Sequence, residues 1–195
     1  MKDIAAIILA AGESSRMGQP KAFLEYQGKT FLDTITDKFR QAGCDPVIVV
    51  VPVGFALNSE ELAARKLLYR YNESPENGQF SSLILGASLA PPSCGAAFFC
   101  PVDHPAFQSA TLEEMYSAWD GDRKLAVRPR FEGRQGHPVL LGRLWLDKVL
   151  KALYDSSMRD LLRSNSEQVL SLNVNDSGIL IDVDTPEDYQ QLIRE

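Results

Sequence analysis

The sequence predicts an α/β fold with a mostly parallel sheet, and three observations predict it. Short β-branched apolar runs alternate with stretches whose apolar residues recur at helical spacing. Val47–Val51 is apolar throughout, as a strand buried on both faces should be. The 195 residues, 45% hydrophobic and 24% charged, have the size and composition of one ordinary domain, taken here as residues 1–195.

Each element has its own signal. Ile4–Leu9 is a first apolar strand. A helix follows from about Thr30, because Phe31, Ile35 and Phe39 stand four apart and Gly43 is placed to end it. After Val47–Val51, Asn58-x-x-Glu61 reads as a capping box ahead of Leu62 and Leu67. Tyr69–Tyr71 reads as a short strand, Phe80–Leu89 as a helix and Ala96–Cys100 as another buried strand. Thr111-x-x-Glu114 opens a helix carrying Leu112, Met115, Tyr116 and Trp119. Leu125–Arg128 and Val139–Leu141 are short strands, and Leu144–Tyr154 and Met158–Arg163 are helical. Val169–Asn173 and Ile179–Asp182 are late strands, and Pro186 stands at the favoured first-turn position of a last helix. In such sheets ligands sit beyond the carboxyl ends of the strands, and the chemistry-bearing residues below are expected at such ends.

Composition excludes several classes. A net charge of −6 argues against a nucleic-acid partner, which needs a basic face. No apolar run approaches the roughly 18 residues of a membrane span, and the N-terminus is not a signal peptide. Cys44, Cys94 and Cys100 are odd in number and form no Cys-x-x-Cys pair, so they read as free thiols in a reducing cytoplasm. Positive charge is concentrated locally. Arg128, Arg130, Arg134 and Arg143 fall within sixteen residues that hold one acid, Glu132.

The first strand delivers a loop, Leu9-Ala10-Ala11-Gly12-Glu13-Ser14-Ser15-Arg16-Met17-Gly18-Gln19-Pro20-Lys21. A strand entering a glycine-bearing loop exposes backbone N–H groups to phosphate. The spacing fits neither the P-loop nor the dinucleotide fingerprint. Pro101-Val102-Asp103-His104-Pro105 leaves the Ala96–Cys100 strand, and a carboxylate held between prolines is a hard oxygen ligand suited to Mg²⁺. His104 reads as a wall beside it. Asp182-Val183-Asp184-Thr185-Pro186-Glu187-Asp188 leaves a late strand, and alternation puts Asp182 and Asp184 on one side. Two crowded carboxylates call for a cation; a helix N-cap explains the same residues, and both can hold. Gly78, Ser81 and Ser82 open a helix whose first turn offers hydroxyls and N–H groups, with plain capping as the alternative. Gly133-Arg134-Gln135-Gly136-His137-Pro138-Val139 lies in the arginine-rich segment, which is either a solvated loop or an anion site.

The loop at residues 9–21 resembles Leu-Ala-Ala-Gly-x-Ser-x-Arg-Met-Gly-x-Pro-Lys, the signature of nucleotidyltransferases with a Rossmann-like, GT-A-type, three-layer α/β/α fold. The Asp-x-Pro element at Asp103, the Gly-x-x-x-Ser element at Gly78 and the Asp-x-Asp-Thr-Pro-Glu-Asp element at Asp182 follow the same pattern. Gly136-His137-Pro138-Val139 and Ser157–Leu162 are similar to one subgroup, the molybdenum cofactor cytidylyltransferases and their MobA/MocA-like relatives.

The resemblance implies a nucleoside triphosphate over Leu9, Ala10, Ala11, Gly12, Arg16, Lys21, Gly78, Ser81 and Ser82. Arg16 and Lys21 would serve the phosphates, and Arg16, Lys21 and Asp103 would be the catalytic set. It implies Mg²⁺ on Asp103 and Asp184, with Asp182 less central, and a phosphorylated, molybdopterin-like acceptor against Arg128, Arg134 and His137. Arg159 could add another cation there. Ala11, where guanylyl-transferring relatives favour glycine, argues for a pyrimidine nucleotide, CTP. Another phosphorylated acceptor, or a non-catalytic chaperone that docks cofactor onto a molybdoenzyme, would use similar residues.

Overall fold

The computed structural model of the protein describes residues 1, 3–12, 16–153 and 156–194. Its elements run, in chain order, β1 (Ile4–Leu9), β2 (Glu25–Tyr26), β3 (Lys29–Thr30), α1 (Phe31–Gln41), β4 (Val47–Pro52), α2 (Ser59–Ala64), β5 (Leu68–Asn72), α3 (Gln79–Leu89), β6 (Ala96–Pro101), α4 (Ser109–Trp119), β7 (Ala126–Phe131), β8 (Arg134–Gln135), β9 (Val139–Gly142), α5 (Arg143–Lys151), α6 (Met158–Ser164), β10 (Val169–Asn173) and α7 (Pro186–Leu192). No helix among the described residues is long and apolar enough to cross a membrane.

The main sheet is ordered β10-β7-β9-β6-β1-β4-β5, with β8 hydrogen-bonded to β7. Pairing is parallel from β6 through β1 and β4 to β5, and again between β10 and β7; β9 enters antiparallel between β6 and β7. The chain moves outward from β1 to β4 and β5, then returns as β6 on the other side of β1. That reversal makes the space beyond the carboxyl ends of β1 and β6 the switch point at which open α/β sheets take ligands.

Alternation along the strands divides the interior into two layers. Ile4, Ala6 and Ile8 of β1 face α1 and α4, joining Phe31, Ile35, Phe39, Leu112 and Met115. Ala5, Ile7 and Leu9 face α3 and α5, joining Phe80, Leu83, Trp145 and Leu146. The three-layer expectation is thus met.

Three expectations are corrected. Ile179–Asp182 is not a strand; Ser177–Leu180 forms a 3₁₀ turn. The segment after it bonds its neighbours singly, through Val183 N–H to Asp103 O at 3.0 Å, while Ile179 O accepts from His137 N–H at 3.0 Å. Thr111 does not cap α4, which begins earlier, because its hydroxyl is drawn to the buried Asp176 carboxylate at 2.7 Å. The helix expected over Leu144–Tyr154 is α5, which ends at Lys151; Tyr154 lies outside the described residues, as do Glu13, Ser14 and Ser15 of the first loop. The β2–β3 hairpin had no apolar signal. It turns at Gln27-Gly28, both at positive φ, the conformation that two-residue hairpins favour.

Candidate active site

Beyond the carboxyl ends of β1, β4 and β6 lies a cleft of about 690 Å³. Leu9, Ala10, Ala11, Gly12, Arg16, Lys21, Gly78, Ser82, Asp103 and Asp184 all line it. Ser81 does not. It is buried, its hydroxyl donates to Gly78 O at 2.8 Å, and it accepts from Asn72.

Lys21 stands at the start of a single 3₁₀ turn behind Pro20, anchored by buried Ala22 and Leu24. Its ammonium reaches Asp103 Oδ2 at 2.9 Å and Asp184 Oδ1 at 2.6 Å. The two carboxylate oxygens share one nitrogen, so their separation cannot exceed the sum of those lengths. Burial alone would lower the Lys21 pKa, but Asp103 and Asp184 together hold it above the usual lysine value. The bond from Lys21, aided by Arg16 at 3.2 Å, holds Asp184 below the usual carboxylate range.

Asp103 is fixed from several sides. Val102 N–H donates to Leu9 O, and Val183 N–H donates to Asp103 O, each at 3.0 Å. Behind the loop, Lys38 of α1 donates to the carbonyls of Pro105 and Phe107, each at 2.6 Å. Burial pushes the Lys38 ammonium down to about 8. Asp103 Oδ1, the oxygen turned from Lys21, is buried without a hydrogen-bond partner and lies 4.0 Å from His104 Nε2. His104 Nε2 is also 4.0 Å from Asp182 Oδ2. Ligating atoms of Asp103, His104 and Asp182 lie within 4.8 Å of one another. Burial and the Asp103 charge hold Asp182 above the usual carboxylate range, which is the environment a cation relieves. The donor set therefore fits a divalent ion. Asp182, rather than Asp184, shares that group, and Asp184 is engaged by Lys21 and Arg16.

The arginine-rich segment is arranged differently from the cleft. Arg128 is the third residue of β7, not a strand end, and it is half-buried. His137 packs on Phe99 and His104, with ring centroids 5.4 and 4.7 Å away. Burial, His104 and Arg128 keep the His137 imidazole well below its usual pKa. Gly136 lets this segment approach the chain near Ile179, since a Cβ there would lie 2.2 Å from Ile179 O. Arg134 pairs with Phe131 across the β7–β8 ladder. Its side chain therefore shares Phe131's face and not that of Arg128, three residues earlier on β7. The structure brings His137 to Asp103's neighbour and does not bring Arg134 there.

Three contributors were missed from sequence. Phe55, stacked on Phe23 at 5.1 Å, lines the cleft after β4. Only its place after a buried strand could have flagged it. Asn72, at the end of β5, donates to both Ser81 and Ser82 hydroxyls at 3.0 Å and so fixes the start of α3. Lys38 gave no local signal.

The sequence and fold also have counterparts in other proteins. The "Molybdenum cofactor cytidylyltransferase" of Escherichia coli (strain K12) is 28% identical over 97% of this chain and 95% of its own. The "Nicotine blue oxidoreductase" of Paenarthrobacter nicotinovorans is 26% identical over 97% and 96%. Rv0371c of Mycobacterium tuberculosis H37Rv superposes with a TM-score of 0.80 at 25% identity, over 98% of each chain. A complex of that protein with manganese gives 0.76 at 24% identity, again over 98% of each chain. The MobA-like NTP transferase domain matches residues 6–169, a span that carries the phosphate-type loop, Asp103 and His137. This chain therefore belongs to the nucleotidyltransferases of the MobA-like NTP transferase family.

Proposed function

We propose that this enzyme transfers CMP from CTP to a phosphorylated acceptor of molybdopterin type and releases pyrophosphate. The observation that carries the reading is one ammonium, Lys21, held by Asp103 and Asp184 in a cleft that the glycine loop also lines. Arg16 and the loop N–H groups hold the β- and γ-phosphates, and Lys21 turns to the α-phosphate. Gly78, Ser82 and Phe55 enclose the nucleoside. An acceptor phosphate oxygen attacks the α-phosphorus in line, the bond to the bridging oxygen breaks, and pyrophosphate leaves with that electron pair. The attacking phosphate is already ionised at pH 7, so no general base is needed. Catalysis is positioning and charge stabilisation.

A divalent cation, Mg²⁺ or Mn²⁺, would be held by Asp103 and Asp182 with His104 beside them. When bound, it neutralises phosphate charge. Imidazole is a better ligand for Mn²⁺ than for Mg²⁺. Ala11 supports CTP, and the three free thiols suit a reducing cytoplasm. A molybdoenzyme would receive the product.

The test is pyrophosphate release with CTP, GTP, ATP or UTP, with and without a molybdopterin extract. Release that needs CTP and extract together is expected. Binding of CTP without turnover favours a docking chaperone. Reduction of nicotine blue instead would align the chain with the Paenarthrobacter relative.

A further inference from the structure

Among the described residues, Asp176 is the only charged side chain that is buried outright, with 2% of its surface exposed. It does not line the cleft, and it is not one of the Asp103, His104 and Asp182 ligand group. Burying a carboxylate is costly unless its oxygens are engaged, and here they are. Oδ2 accepts from Gln108 N–H and from the Thr111 hydroxyl, each at 2.7 Å, and Oδ1 accepts from Gly178 N–H at 3.0 Å. The first two donors lie where the loop behind Asp103 enters α4. The third lies in the 3₁₀ turn that leads to Asp182.

The two segments also press together. A Cβ at Gly178 would lie 2.3 Å from Ala106 O. From the other side, Lys38 ties the same loop to α1 through the carbonyls of Pro105 and Phe107, and its ammonium sits 4.9 Å from the centre of the Phe107 ring. Lys38 thus anchors the loop to the body of the protein, and Asp176 anchors the C-terminal segment to the loop. That segment has no strand ladder to hold it. Past the turn its backbone meets its neighbours through single bonds, His137 N–H to Ile179 O and Val183 N–H to Asp103 O, each at 3.0 Å. Where bonds are this sparse, an ionised acceptor with three donors is the strongest tie.

We propose that Asp176 is a positioning residue. It docks the segment bearing Asp182 and Asp184 against the Asp103 loop, and so sets the spacing of carboxylates that come from separate parts of the chain. Outer partners of this kind orient metal ligands. Only a carboxylate can do this here, because it offers two acceptor oxygens and no donor. An amide of the same shape keeps one oxygen. Its NH₂ must then face either Gly178 N–H or the Gln108 and Thr111 donors, and one side of the clasp opens. The expected effect on metal rests on the reading of Asp103 and Asp182 as cation ligands.

The test is Asp176→Asn, read in two ways. Amide hydrogen exchange compares Val183 N–H, which crosses the junction, with Ala6 N–H, which donates to Pro46 O beside the central strands. The ratio of the Val183 rate to the Ala6 rate should rise about tenfold or more, because the junction then opens locally. Mn²⁺ affinity, titrated by electron paramagnetic resonance without nucleotide, should weaken about tenfold or more. Val149→Ala, a core change in the layer of α3 and α5, should lower Tm and leave both readings unchanged. If Asp176→Asn does not fold, Thr111→Val removes one donor and should move both readings in the same direction. Thr111→Ser keeps the hydroxyl and should restore them. An unchanged exchange ratio overturns the proposal. So does a raised ratio with the Mn²⁺ affinity of a metal-binding wild type, since Asp176 would then only support the fold. A wild type that binds no Mn²⁺ would sink the cation reading instead, and the exchange ratio alone then decides the clasp.

Discussion

Lys21 is bound by two carboxylates far from it and from each other along the chain, Asp103 and Asp184. On the proposed mechanism, replacing it by methionine removes the donor assigned to the α-phosphate. We expect kcat to fall by about 10²–10³-fold, the usual cost of losing one such group. Unchanged kcat in a steady-state assay would take Lys21 out of the mechanism. The two aspartates of the C-terminal element should separate by role. Asp182 shares a group with Asp103 and His104, so Asp182→Asn should raise the Mn²⁺ or Mg²⁺ concentration needed for half-maximal activity. Asp184 positions Lys21, so Asp184→Asn should lower kcat at a near-normal metal requirement. Metal titrations of both variants, read as activity, would show whether the roles are reversed.

At the scale of the element, α7 is held by a reciprocal cap. The Thr185 hydroxyl accepts from Asp188 N–H, and Asp188 Oδ2 accepts from Thr185 and Asp184 N–H groups at 2.8 and 3.1 Å. This cap also sets the backbone that presents Asp184. Thr185→Ala should cost about 1 kcal/mol by urea denaturation. The bond from the Thr185 hydroxyl and the backbone donors hold Asp188 below its ordinary carboxylate value of 3.8. Its folded pKa is depressed, so the stability it contributes is present above 3.8 and is lost as pH falls through the folded value. The stability difference between wild type and Asp188→Asn should therefore be constant near neutrality and close in strong acid. A difference that persists at the acid end would show that the carboxylate charge is not what caps the helix. Asn72→Ala would remove the donor shared by two buried serine hydroxyls at the start of α3, leaving Ser81 its bond to Gly78 O. It should raise the CTP KM more than it lowers kcat.

On the scale of the whole molecule, the three cysteines report the integrity of both layers. Burial pushes the Cys44 thiol up to about 12 and raises Cys94 and Cys100 as well. The thiolate is the nucleophile, so buried thiols of this kind are inert in the native state. Iodoacetamide at neutral pH should label them at the rate of unfolding. Fast labelling of native protein would mean that one layer opens locally.

The sequence by itself determined the class of the fold and the positions of its main elements. Those signals are local: β-branched runs in Ile4–Leu9 and Val47–Pro52, four-residue spacing in α1, and Asn58 and Thr185 as caps. It also marked the glycine loop, Lys21, Asp103 and the Asp182–Asp188 element, because each is a compact string of residues. Only the tertiary structure decided how those strings combine. Which carboxylate meets Lys21 and which meets His104 depends on one extended segment docking beside Asp103 through the Val183 bond. Which arginines share a face depends on the β7–β8 register, where a change of one residue turns a side chain to the other side. Asn72, Lys38 and Phe55 act on partners distant in the sequence, across β5–α3, α1 and the loop after β6, and β4 and its cleft. Their placement comes from packing between elements, which no local pattern encodes.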